Sequence, residues 1–263
     1  MLIRYVAVSA LARRPATGGL VGEVAAAAQE ALPAGRPGAA ADSVAEPAGA
    51  PTRTEGDGAM LDTPRYRLTD ADEVKRLIRR HPWATLVSST SHGLVASHYP
   101  VLLDESTDDI VLISHVGRPD DELHELGEHE VLVVIQGPHD YVSASWYDPG
   151  EVVPTWNHVT AHLYGVPEIL SEESNYAMLS RLTDHFEQHH AHGRSLSEDE
   201  AGTRSMAKGT KGFRIRVTRF QARAKLSQNQ EPQIVERVAE EIDRKNPSLA
   251  GEMRRFQSGP PSS

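Results

Sequence analysis

Four segments concentrate side chains able to do chemistry on a bound small molecule. They are Ser114-His-Val-Gly-Arg118, Gln136-Gly-Pro-His-Asp-Tyr-Val-Ser-Ala-Ser-Trp-Tyr147, Val153-Pro-Thr-Trp-Asn-His-Val-Thr-Ala-His-Leu-Tyr-Gly165 and Lys225-Leu-Ser-Gln-Asn229. Together they supply stacking rings, amide and hydroxyl donors and two cations. That set suits a flat heteroaromatic ligand carrying an anionic tail. Trp146 and Trp156 taken singly read as core packing, and it is the joint occurrence that points to a ligand.

Other chemistries find less support. The chain has 13 histidines, of which His185, His189, His190 and His192 gather near the end of a helical stretch. His185 and His189 at i, i+4 could share a metal on one helix face, but no supporting carboxylate pattern accompanies them. The group reads as a solvated helix end, where protonated histidine also suits the dipole. His158 and His162 share one strand face by parity and fit a structural pair as well as a site role. There is no Gly-x-Ser-x-Gly elbow and no Walker phosphate loop. Lys208-Gly-Thr-Lys-Gly212 resembles a phosphate loop in composition but lacks the spacing, and reads as a surface turn.

Composition narrows the classes further. The 263 residues include no cysteine, which excludes disulfides, thiolate metal sites and cysteine nucleophiles. The formal net charge is −10, and no apolar run approaches the ~20 residues of a membrane span. Residues 1–60 hold 17 Ala, 8 Gly and 5 Pro but a single aromatic, Tyr5. Such a segment cannot bury enough apolar area to offset its ordering entropy, so it is expected to be a disordered tail, or the product of a start misassigned upstream of Met60. Arg13-Arg14 follow the apolar run Met1–Ala12 instead of preceding it, the reverse of a secretory signal. A cytoplasmic protein without a membrane segment is therefore expected.

The remainder must position the four segments. Helical spacing is expected over 70–80, 175–189, 197–206 and 234–242, with one or two turns over 119–126. Strands are expected over 84–89, 94–103, 110–116, 131–136, 159–170 and 213–220. Gly137-Pro138 is expected to end the fourth strand, and Pro167 to mark an edge or bulge in the fifth. Many strands joined by short turns, without strand–helix alternation, predict a mainly β, α+β fold built on an antiparallel barrel with peripheral helices. Domain bounds follow: 61–230 for the barrel and 231–263 for a C-terminal helical extension and tail.

At this point the sequence resembles the PaiB-like family of FMN-binding negative transcriptional regulators. The resemblance rests on Thr63-Pro-Arg-Tyr66, His81-Pro-Trp-Ala-Thr-Leu-Val87, His98-Tyr-Pro-Val101, His115-Val-Gly-Arg118 and the three longer segments, all in the family's order. It covers about Leu61 to Asn229. It implies an FMN-binding split β-barrel, a homodimer, and a flavin in the groove between subunits. On that basis Arg118 and Lys225 are expected to neutralise the phosphate, with Ser114 and Ser227 as hydroxyl donors. His98, Trp156, Asn157 and Gln228 are expected to line the ring or the ribityl chain, and His115 to be a further cofactor-binding residue. Three departures stand out. Asp120-Asp121 replaces the family's Asn-Pro, Ala224 an aromatic, and His158 a tyrosine. Two carboxylates beside a phosphate site repel a dianion unless they point outward or hold a helix N-terminus.

Three functional classes remain open at this stage: a flavin-binding regulator or sensor, an FMN- or deazaflavin-dependent oxidoreductase related to pyridoxamine-phosphate oxidase, and a non-catalytic interaction protein. Residues 61–263 carry 22 Lys+Arg against 31 Asp+Glu, and no helix-turn-helix pattern is visible. Specific DNA contact by the chain itself is therefore not expected; the basic stretch 214–225 is the one candidate patch.

Overall fold

The computed structural model describes residues 60, 63–147 and 153–258. Apart from Met60, the tail expected over 1–60 lies outside the described residues. Among these described residues ten strands form two antiparallel sheets. The first has six strands in the order β1 (Arg67–Leu68), β10 (Arg219–Lys225), β7 (Thr155–Gly165), β6 (Val131–Val142), β2 (Trp83–Thr90), β3 (Gly93–Pro100). The second has four, in the order β4 (Leu102–Leu103), β5 (Val111–Gly117), β9 (Thr210–Arg216), β8 (Pro167–Ile169). The described residues also form six α-helices around them: α1 (Ala71–Arg80), α2 (Asp120–Leu123), α3 (Glu172–Glu187), α4 (Glu200–Ala207), α5 (Pro232–Asp243) and α6 (Pro247–Gln257). This is the expected α+β split β-barrel. Among the described residues no helix is long and apolar enough to cross a membrane.

Two expected single strands prove to be pairs that change sheet. The expected 159–170 strand begins earlier and divides at Val166 into β7 and β8; the expected 213–220 strand divides at Val217-Thr218 into β9 and β10. Each half pairs with the matching half of the other, Tyr164 opposite Arg219 and Pro167 opposite Ile215. The result is one long antiparallel ribbon bent at a shared corner. Thr218 N–H donates to the Tyr164 carbonyl across that corner. Gly165 is needed here because a Cβ would meet the Arg216 carbonyl oxygen at 2.5 Å and Ile215 Cγ2 at 2.6 Å. Local alternation cannot reveal such a bend, because polarity keeps alternating through it.

Gly137-Pro138 does not end β6. The strand runs on to Val142, and the register with β7 shifts between Gln136 and His139. A bulge accommodates the proline, which has no N–H to donate. A Cβ on Gly137 would lie 2.6 Å from Leu77 Cδ1 of α1, so the bulge also allows helix and strand to approach closely.

In the large sheet one row of side chains faces the core. Ala84, Leu86, Val133, Ile135, Ala161, Leu163, Ala222 and Ala224 pack there with Val74 and Ile78 of α1, Val238 and Ile242 of α5, and Leu249 and Met253 of α6. The α6 helix was not anticipated. It starts at Asn246, whose side chain caps Leu249 N–H, and it closes the barrel end with fully buried Leu249 and Met253. The C-terminal helices thus share the barrel's core.

The seam between α1 and α6 is ionic. Arg76 makes a two-point contact with Glu252 at 2.8 and 2.5 Å, and Arg255 with Glu73 at 2.7 and 2.6 Å. Burial alone would raise the Glu252 carboxyl; the hydrogen bonds and charges of Arg76 and Arg255 outweigh it and hold the group below the ordinary carboxylate range. Its contribution is complete above the unfolded value of 4.5 and is lost as pH falls through the lower folded value.

Two stability outcomes follow. Gly165→Ala is expected to cost about 1–3 kcal/mol, measured by urea denaturation, because backbone and not a flexible side chain blocks the new methyl group. Glu252→Gln is expected to cost about 3 kcal/mol at pH 7, the low end for a broken buried pair because Arg76 and Arg255 are partly solvated. That difference shrinks when the titration is repeated below pH 4.

Candidate functional site

The chemistry-bearing side chains fall into two groups at opposite ends of the bent ribbon. The first surrounds the end of β5. Arg118 follows the last residue of that strand, its N–H donating to the Gly209 carbonyl at 3.0 Å in the turn before β9. Its guanidinium is 48% exposed, and its carboxylate neighbour is Asp121 at 3.6 Å. Ser114 is fully buried and donates to the Pro100 carbonyl at 2.7 Å, tying β5 to the end of β3. His115 packs its ring 6.0 Å from Tyr99, and its Nδ1 is buried without a partner. Burial pushes its pKa down to about 4, so it is neutral at pH 7. His98, exposed on the outer face of β3, shares a hydrogen bond with Thr85 Oγ1 at 3.0 Å.

Beside Arg118 lies a chain of buried and half-buried polar groups. Tyr99 donates to Asp120 Oδ2 at 2.6 Å, and Ser97 donates to the same oxygen at 3.0 Å. His124, fully buried, bridges Ser97 Oγ at 3.0 Å and Ser88 Oγ at 2.8 Å. Gly117 N–H donates to the Tyr99 hydroxyl at 3.3 Å. Burial holds His124 below the ordinary histidine range, and burial with the Asp120 hydrogen bond holds the Tyr99 phenol far above its own. The expected repulsion from Asp120 and Asp121 takes a different form here. Asp120 is turned inward onto two hydroxyls, and Asp121 is buried beside Arg118.

The second group sits where β7 begins and β10 ends. Trp156 is 54% exposed and meets Tyr141 edge-on at 6.0 Å. Lys225 donates to Thr155 Oγ1, and burial followed by the nearby Arg223 charge lowers its pKa. Three residues expected on the ligand are engaged within the protein. Asn157 is fully buried, donating to Ser227 Oγ at 2.9 Å; Ser227 has φ +62°, a left-handed conformation. Gln228 accepts from Leu226 N–H and donates to the Ala224 carbonyl, both at 2.6 Å. In this structure they close the turn after β10.

His158 and His162 share the outer face as expected but do not bond each other; His158 faces Thr160 Oγ1 at 3.4 Å. Since α3 ends at Glu187, His189, His190 and His192 lie beyond it, and the i, i+4 spacing places no histidine pair on its face. The sequence reads Lys208–Gly212 as a surface turn and assigns no site role to Lys208 or Thr210. They line a cavity of about 510 Å³ with Arg118, Asn175 and Tyr176, between α3, α4 and the start of β9. The phosphate-loop-like composition of 208–212 was the available signal, and only the Arg118–Gly209 contact shows which site the turn adjoins.

A family described as "Putative FMN-binding domain" matches residues 60–219. The chain is 31% identical over 192 residues to the Bacillus subtilis protein named protease synthase and sporulation protein PAI 2, covering 70% of this chain and 91% of that one. It is 31% identical over 112 residues to an uncharacterised protein of Saccharomyces cerevisiae, covering 40% of this chain and 66% of that one. Among solved structures, an FAD- and heme-binding protein of Mycobacterium smegmatis superposes with a TM-score of 0.48 at 18% identity, covering 61% of this chain and 73% of that one. The match over 60–219 and the near full-length similarity to the Bacillus protein place this chain in the PaiB-like FMN-binding family, with FMN as its cofactor.

Proposed function

We propose that the protein is a flavin-dependent redox protein whose FMN sites are each shared between two copies of the chain, and that it makes no specific DNA contact of its own. One observation carries this reading: the two groups of expected flavin residues are separated within a chain by the whole of β9 and β10, seven residues each, on either side of a sheet change. Arg118 and Lys225 cannot meet one phosphate along that ribbon, whereas a second copy can bring its Lys225 and Trp156 to the first copy's Arg118. The outer face of the large sheet supports such pairing. It presents Trp83, Leu94 and Tyr141 exposed, with Val87, Leu132 and Val134 half-buried between them. An apolar surface of this extent calls for a partner, and a face that is part of every copy suits a two-fold dimer.

The residues fit the cofactor. A half-exposed guanidinium with a single carboxylate contact at 3.6 Å has hydrogen-bonding capacity for a phosphate. Neutral His115, with Nδ1 unpaired, has capacity for one more polar contact. When bound, FMN supplies hydride or electron transfer, and the chain supplies position and charge. Against the regulator reading, the candidate basic stretch is already ion-paired in part: Arg214 with Glu168, Arg216 with Asp109 and Arg219 with Glu130. Paired cations release few counterions from DNA.

Flavin fluorescence titration tests the proposal. Arg118→Ala and Lys225→Ala are each expected to weaken FMN by more than about tenfold while changing riboflavin little, as fits loss of a charge-assisted phosphate contact. Mixing the two variants is the decisive arm. Random re-pairing restores both cations in roughly a quarter of the sites if each site is shared between copies. Recovery of no tight sites from the mixed variants, or a monomer by sedimentation with FMN bound, overturns the shared-site reading. A sequence-specific, salt-resistant footprint on duplex DNA overturns the claim about DNA.

A further inference from the structure

Arg118 is an exposed side chain at the end of a strand, and on its own such a residue is held loosely. Three features of the surrounding structure restrict it. Its own N–H is fixed to the Gly209 carbonyl. The peptide before it is fixed from the opposite side, because Gly117 N–H donates to the Tyr99 hydroxyl. That hydroxyl is in turn oriented by Asp120, which lies two residues after Arg118 and opens α2. Strand β3, the end of β5 and the start of α2 are thus pinned around one carboxylate oxygen, which also receives Ser97.

We infer that Asp120 and Tyr99 are positioning residues for the flavin phosphate: the Asp120–Tyr99–Gly117 hydrogen bonds hold the turn that aims Arg118, and so they set the preference for FMN over riboflavin. This deepens the FMN reading and rests on Arg118 being its phosphate ligand. The chain Ser97–His124–Ser88 extends the anchor into β2, where each of these side chains is buried or half-buried. Their polar atoms are taken up by one another, so none of them is assigned as a phosphate ligand itself. On this view the acidic pair after Arg118 is a support for the site. Asp120 is satisfied by two hydroxyl donors, and an asparagine oxygen in its place can accept the same two bonds.

Titration with FMN and with riboflavin separates positioning from general stability. Asp120→Ala is expected to weaken FMN by about tenfold and Tyr99→Phe by about fivefold, with riboflavin changing less than about twofold in either. Asp120→Asn is expected to retain FMN affinity within about twofold. The double variant Asp120→Ala, Tyr99→Phe is expected to be little worse than Asp120→Ala alone, since both changes break one connected chain. If Asp120→Ala and Tyr99→Phe lower the melting temperature but leave the ratio of FMN to riboflavin affinity unchanged, the two residues are structural and the inference is overturned. If Arg118→Ala itself leaves that ratio unchanged, the phosphate assignment fails first, which keeps the two failures distinct. Where Asp120→Ala does not fold, Tyr99→Phe and Asp120→Asn decide the question by the same ratio.

Discussion

The bend in the β7–β8 and β9–β10 ribbon is the constraint from which most of the architecture follows. Two strands that pair along their whole length must turn together, and they can do so only where one backbone approaches the other without a side chain between them. Gly165 against the Arg216 carbonyl meets that condition, and Val166 and Val217-Thr218 carry the chain around. Ahead of the corner β7 and β10 belong to the six-stranded sheet; beyond it β8 and β9 belong to the four-stranded one. The barrel is split for this reason. The same corner assigns Arg118, tied to the Gly209 turn, to one end and Lys225, opposite His158, to the other.

Two clusters of buried and half-buried polar groups join elements distant in sequence. The Glu73–Arg76–Glu252–Arg255 cluster holds the last helix to the first, 176 residues apart in one pair and 182 in the other. Such clusters contribute less net stability than hydrophobic packing of the same volume, but they define one seating for α6, since a displaced helix leaves buried charges unpaired. The Ser88–His124–Ser97–Asp120–Tyr99 chain does the same beneath Arg118 with neutral groups and one carboxylate. A neutral imidazole, held so by burial, can donate on one side and accept on the other without bringing a charge into the core.

Function enters where these supports reach the surface. Arg118, Lys208, Trp156 and His98 are exposed and Lys225 is half-buried, whereas the unpaired Nδ1 of His115 is buried. Around them stands a larger number of side chains engaged in holding backbone. The Lys225–Asn229 segment shows the division clearly. Its lysine faces outward, while Ser227 and Gln228 close a turn and Asn229 accepts from Tyr66 at 3.2 Å. A motif can be highly specific because it builds the turn that presents one functional group, as well as because it touches a ligand.

The sequence by itself determined the class of the fold and the identity of the family. Alternation and turn residues reveal strands, capping residues reveal helix starts, and Asp70 does cap α1 through Asp72 N–H at 2.8 Å. These are local signals with local causes. Tertiary structure decided what depends on contacts between distant segments. It carried β6 through Gly137-Pro138, because a bulge against β7 satisfies the ladder around the proline. It added α6, whose apolar positions matter only against the barrel end. It turned Asp120 onto Ser97 and Tyr99, which offer it hydrogen bonds from a strand 23 and 21 residues earlier. It also left some of the nine expected flavin residues exposed, Arg118 and Trp156 among them, and engaged others, such as Asn157 and Gln228, in holding the fold. Residue type states what a side chain can bond to; only the packed chain decides which partner lies within hydrogen-bonding distance.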